Sequence, residues 1–345
     1  QDFEKLIATM QDYYKPLDIS QVSNMVAKFS NKHIGALNEL LSKYNDDLSS
    51  IEKTKVLAPI LFCFRSDFYD YSASEKFIAL DLSSKLENAV FQNSQGWQPT
   101  SLNGLLEKID VLTHIAAATG LIELWEYDRI KPVLSLYKDK ENLTIKDLNT
   151  ILTTSRGVVE WSTSMVKANY EEIVNTYMSF EPLAYGFIDD RIRSSITLDL
   201  GNSVSQLGNF ISKESSIKNE VVGVKKQATI RGLNPGYAFG ELVVVEGSID
   251  NIDFVKDKIY VFNRPPSGLK PVAGIMTVSE GNLVSHVQLL ARNLGIPNAA
   301  LSQENLEDLA QFNGQKVFYA VSSKGNVILK TEDEMSHKEK NLFNS

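Results

Sequence analysis

The 345-residue chain has one cysteine, Cys63, four histidines and no long apolar run. One thiol excludes an internal disulfide and a cysteine-rich metal site, and this usage suits a reducing compartment, so the expected localisation is cytoplasmic. The histidines, His33, His114, His286 and His337, are scattered and form no H-x-x-x-H pair, so no metal site is expected. No segment approaches the roughly 20 apolar residues of a membrane helix. The opening QDFEKLIATM lacks a basic stretch followed by an apolar one, so no signal peptide and no membrane partner are expected. Neither G-x-x-x-x-G-K-[ST] nor G-x-S-x-G occurs, which removes phosphate-loop and nucleophile-elbow chemistry. Cations are outnumbered: 35 Lys and Arg against 43 Asp and Glu give a formal charge of −8, unsuited to nucleic acid or an anionic membrane.

What is present is globular in character, with 43% hydrophobic and 23% charged residues. The length exceeds what one core usually serves, so two domains are expected. The chain starts at Gln1 and finishes on the polar run EDEMSHKEKNLFNS. It is therefore read as a piece of a longer polypeptide.

The first 200-odd residues carry helical spacing. DISQVSNMVAKFSNKHIGALNELLSKY offers Asp18 as an N-cap, followed by Val22, Met25, Val26 and Phe29. TSLNGLLEKIDVLTHIAAATG starts at Thr100 or Ser101 and stops at Gly120. Thr144 and Asp147 stand at capping-box spacing. Near residue 222 the texture changes to short β-branched runs: QATIRGL, GELVVVEG, KIYVFN, GIMTVSE, KVFYAV and NVILK. The turn SSKG, with Gly325 available for a positive φ, joins the last two. The expected fold class is thus multidomain α and α/β, with an all-helical domain over residues 1–222 and a strand-rich domain over 223–331. Residues 332–345 are expected to be a linker or tail.

One histidine stands out by its surroundings. In SEGNLVSHVQLLARNLGIPNAAL, residues 279–301, a helix is expected from about Ser285 to Leu294. Val287, Leu290, Ala291 and Leu294 fall on one side of it, and His286 lies at the edge of that stripe in the first turn. Unpaired N–H groups and the positive end of the helix dipole meet there and favour an anion. Gly281 lets the preceding loop turn tightly, Ser285 suits a cap or a phosphate contact, and Gly295-Ile296-Pro297 ends the helix.

The same string resembles the phosphohistidine segment of the phosphoenolpyruvate-utilising enzymes, written G-x-[TS]-S-H-x-x-x-x-A-R-x-x-G-I-P. This is the family of phosphoenolpyruvate synthase, pyruvate phosphate dikinase and the α-glucan water dikinases. Ser285, His286, Ala291, Arg292, Gly295, Ile296 and Pro297 match in register, and the upstream LNPGYAFGELVVV resembles the opening strands of the same domain. The resemblance covers about residues 225–331. It departs at Val284, where many members have threonine, and at Gly281-Asn282, where a double glycine is common.

The resemblance implies that the strand-rich domain is a swivelling β/β/α carrier. His286 would attack the β-phosphate of an ATP-derived donor and hand the group to an acceptor, with Ser285, Gly281 and Arg292 around the phosphate. ATP and Mg2+ would bind outside this stretch, in a nucleotide domain of the same chain following residue 345. The acceptor would be pyruvate or phosphoenolpyruvate first, a glucan second. DDRIRSS (189–195) also resembles an arginine-containing stretch of these enzymes, but without a glycine-rich loop around it reads as a helix start with solvated charges. Arg264 is read as part of a solvated turn. The rival reading, from another class, is a non-catalytic module whose helices bind a partner.

Overall fold

The computed structural model describes residues 2–13, 15–140, 142–214, 218–245, 252–263, 270–278, 291 and 294–343. They form two compact units, residues 1–143 with 153–203 and residues 144–152 with 204–345.

The first unit is helical. Helix α1 is Asp2–Tyr13, α2 Ile19–Val26, α3 Asn31–Leu41, α4 Ser50–Ser66, α5 Ala73–Gln95, α6 Leu102–Ala118, α7 Leu124–Leu134 and α8 Leu136–Asp139. The long α9 is Ile145–Met178, α10 Phe187–Arg193 and α11 Ile196–Glu214, and the division between the units falls inside α9 and inside α11. The caps expected from the sequence are present. Asp18 accepts from the Gln21 N–H, Ser101 from the Gly104 N–H, and Thr144 and Asp147 bond reciprocally. Gly120, at φ +83, ends α6, and the Arg65 guanidinium satisfies the freed carbonyls of Ala117 and Ile122. The core lies between α4, α5 and α6, through Leu57, Leu61 and Phe64 against Leu82, Leu86, Leu106 and Ile109.

The second unit holds an eight-stranded mixed sheet. Strand β1 is Glu220–Val221, β2 Arg231–Asn234, β3 Gly236–Val245, β4 Lys258–Phe262, β5 Gly274–Thr277, β6 Asn298–Ala300, β7 Lys316–Val321 and β8 Val327–Thr331. The spatial order is β1-β8-β7-β3-β4-β5-β6-β2. Strands β3, β4, β5 and β6 run parallel, while β7 is antiparallel to β3 and β2 to β6. Gly325, at φ +88, makes the β7–β8 turn expected from SSKG. Period-two alternation sorts the sheet into two faces. Ile259, Val261, Met276, Ala299 and Tyr319 point to one, against Leu306 and Leu309 of α12 (Gln303–Ala310). Tyr260, Phe262 and Ile275 point to the other, against Ala291 and Ile296.

Two features differ from the sequence expectation. The sheet starts at β1, ahead of residue 223, because Glu220 and Val221 pair in parallel with Ile328 and Leu329. The stretch 332–345, expected to be a linker, contains a 3-10 turn at Glu332–Glu334 and a short helix α13, His337–Asn341. Ser336 and Glu339 cap that helix reciprocally, and the Phe343 ring lies 5.6 Å from Phe239 and 6.0 Å from Phe318. An S-x-x-E box and a terminal aromatic make packed structure out of a run that is polar in composition.

Candidate functional site at the carboxyl edge of the sheet

The parallel strands β3 to β6 place their carboxyl ends along one edge, the edge where open α/β sheets hold ligands. Three segments that leave it, 246–251 after β3, 264–269 after β4 and 279–290 after β5, lie outside the described residues. The residues assigned to the site from the sequence fall there: Gly281, Ser285 and His286 follow β5, and Arg292 belongs to 292–293. Arg264 likewise lies outside. The structure describes the frame on either side of them.

On the incoming side, β5 is buried at every position. Gly274 opens it because the Tyr319 ring passes over the backbone, and a Cβ there would stand 2.6 Å from a ring carbon. The Tyr319 hydroxyl donates to the Ile275 carbonyl at 3.0 Å, and full burial pushes that phenol well above its usual range. The strand closes on Thr277, 1% exposed, beside Phe262 of β4.

On the outgoing side the chain is helical at Ala291, which is fully buried. Gly295, at φ +67, and the Ile296 N–H bonding back to the Ala291 carbonyl at 2.8 Å form the glycine-terminated helix end expected from G-I-P. The hydrophobic contact that accompanies such an end is Ile296 with Ala291 over Tyr260, Phe262 and Ile275. Asn234 of β2 clamps this end, donating from Nδ2 to the Ile296 carbonyl at 2.7 Å and the Ala291 carbonyl at 3.4 Å.

Two polar atoms on the same face carry no hydrogen bond among the described residues, Thr277 Oγ1 and Asn298 Oδ1. Asn298 is 1% exposed and stands opposite Ile275, so it neighbours Thr277 diagonally on that face. A hydroxyl that donates or accepts and an amide oxygen that accepts thus have no partner among the described residues. Leaving such groups unpaired costs about 1–3 kcal/mol each. The sequence reading did not single out Asn234 or Asn298. For Asn298 the signal was available, a lone polar residue in the otherwise apolar IPNAAL.

The other histidines are elsewhere. His33 is on α3 and His337 begins α13. His114, on α6, stacks on Tyr127 with ring centres 5.2 Å apart. Among the described residues no three His, Cys, Asp or Glu side chains are grouped to hold a metal ion, and no helix is long and apolar enough to cross a membrane.

No protein-family model matches the chain, and comparison with curated proteins and with solved structures gives no match either.

Proposed function

We propose that the chain is part of a dikinase-like phosphotransferase of the phosphoenolpyruvate-utilising kind, in which the sheet unit is the swivelling carrier and His286 holds the phosphoryl group. The imidazole nitrogen attacks the β-phosphorus of an ATP-derived donor, the N–P bond forming as the P–O bond to the leaving group breaks. A neutral imidazole is a competent nucleophile near pH 7, since its ordinary pKa lies close by. Splitting the transfer into two covalent steps lets one histidine serve a donor and an acceptor at separate places. ATP and Mg2+ belong to a nucleotide domain outside this stretch. The acceptor is pyruvate or phosphoenolpyruvate, with a glucan second.

The observation that carries the reading is the fit of the register S-H-x-x-x-x-A-R-x-x-G-I-P to the described frame. Its apolar and glycine positions, Ala291, Gly295 and Ile296, have packing and capping tasks where the chain re-enters the parallel sheet at the amino end of β6, while β5 leaves at the carboxyl edge. That leaves Ser285, His286 and Arg292 as the polar members of the motif.

The test is incubation with [β-32P]ATP in the presence of the polypeptide that carries the nucleotide domain. The expected label is stable in alkali, lost in acid, absent from His286→Ala and unchanged in His33→Ala and His114→Ala. Alkali-stable label persisting in His286→Ala overturns the assignment, and no label on the intact protein favours a non-catalytic module.

A further inference from the structure

A second polar site lies in the helical unit. Ser84, Glu87, Asn88 and Phe91 stand at positions i, i+3, i+4 and i+7 of α5 and so share one face. Opposite them the junction of α10 and α11 contributes Arg191, Ser194, Ser195 and Ile196. Together these residues line a cavity of about 130 Å³. For scale, a cavity of roughly 150 Å³ accepts benzene, so this one takes about half a dozen non-hydrogen atoms.

The walls differ in charge. Arg191 is at the C-terminal end of α10, and Ile196 opens the 19-residue α11 with the positive end of its dipole, the Thr197 and Leu198 N–H groups being bonded to Ser195. The Ser195 hydroxyl accepts from the Thr197 N–H and donates to the Ile192 carbonyl at 2.8 Å, so it serves the wall rather than the space. This side favours an anion. On the α5 side Glu87 is the one acid of the lining, with the Ser84 hydroxyl and the Asn88 amide beside it. Burial raises the Glu87 carboxyl above the usual range, and Arg191 only partly opposes that. Among the described residues no hydrogen bond or ion pair within 4 Å joins Glu87 to Arg191, although both face the same space. An acid and a guanidinium that line one small cavity without pairing to each other offer a partner to a group of each sign. A simple anion satisfies Arg191 but meets the Glu87 carboxylate, and a simple cation meets the reverse difficulty.

We propose that this cavity binds a small zwitterion, an α-amino acid of the size of glycine, alanine or serine. The ligand carboxylate is held by Arg191 and the start of α11, and its ammonium by Glu87 and Asn88. Phe91 supplies the apolar wall for a short side chain.

The probe is radiolabelled L-alanine in equilibrium dialysis against the whole chain, with acetate, methylammonium and inorganic phosphate as competitors. Saturable binding at one site is expected, weakened about tenfold or more in each of Glu87→Gln and Arg191→Gln. In the unaltered protein acetate and methylammonium should both compete, each less well than unlabelled alanine. Absence of saturable alanine binding overturns the proposal. So does binding of phosphate or acetate as tight as that of alanine, since it marks a plain anion site. Thermal unfolding of both variants is measured alongside, and the competition in the unaltered protein decides the matter even where a variant unfolds.

Discussion

His114 packs against two rings that also touch each other, 4.6 Å from Phe62 and 5.2 Å from Tyr127. Burial first, and then Lys131, lower its pKa to about 4. The unfolded chain takes up this proton near pH 6.5 and the folded chain only near 4, so protonation favours the unfolded state between those values. This contribution to stability is complete above pH 6.5 and is lost as the pH falls toward 4. His114→Phe keeps a ring in the stack, and its thermal midpoint should fall less than that of the unaltered protein across that window. Equal slopes would show that another group titrates. Gly274 is a constraint of space: Ala there meets the Tyr319 ring, and overpacking of this kind costs about 1–3 kcal/mol. Chemical denaturation of Gly274→Ala measures it, and Tyr319→Phe should cost only about 1 kcal/mol for the lost hydrogen bond.

At the scale of the element, helix ends do much of the positioning. Ser72 and Glu75 cap α5 reciprocally, and Glu75 also accepts the Ser30 N–H at 2.7 Å, fixing the start of α3 to that of α5. Hydrogen bonds from Ser72 and Ser30 lower the Glu75 carboxyl to about 2. Its stabilising effect is therefore present above about pH 4.5 and lost as the pH falls through 2, a window below that of His114. Glu75→Gln should flatten the acid limb of the stability profile, and Ser72→Ala should cost about 1 kcal/mol in denaturant unfolding. These ends explain why so much was legible in advance: Asp18, Ser101, Gly120, Gly295 and Gly325 are caps and turns whose chemistry is local. Strands β1 and β6 were missed because two or three residues show no alternation, and their place is set by Leu329 and Met276 of neighbouring strands. Asn234 and Asn298 escaped for the same reason. Each has its partners, or lacks them, across strands distant in sequence. For the candidate site, Gly281, Ser285, His286 and Arg292 were named from the sequence and lie outside the described residues, while the frame on either side of them needed the fold.

At the scale of the molecule, composition foresaw helices followed by a mixed α/β unit, and the expected boundary at 222 differs from the division inside α11, with Glu220 and Val221 already paired to β8. The C-terminal stretch is also tied to the sheet. Lys330, 16% exposed, is paired to Glu220 at 3.2 Å and Glu339 at 3.1 Å, while Phe343 lies over Tyr237, Phe239 and Phe318. Phe343→Ala should destabilise by about 1–2 kcal/mol and raise the binding of a dye specific for exposed apolar surface; unchanged dye binding would show that the rings stay covered without it. The sheet's outermost strands have a consequence of their own. β1 is two residues long, and β2 shifts register between Gly232 and Asn234 before meeting Pro235, which has no N–H to offer. A stray strand therefore finds little ladder to extend at either border. Polymerisation through the sheet is discouraged by these described margins, which turns self-association away from backbone pairing there and toward side-chain contacts.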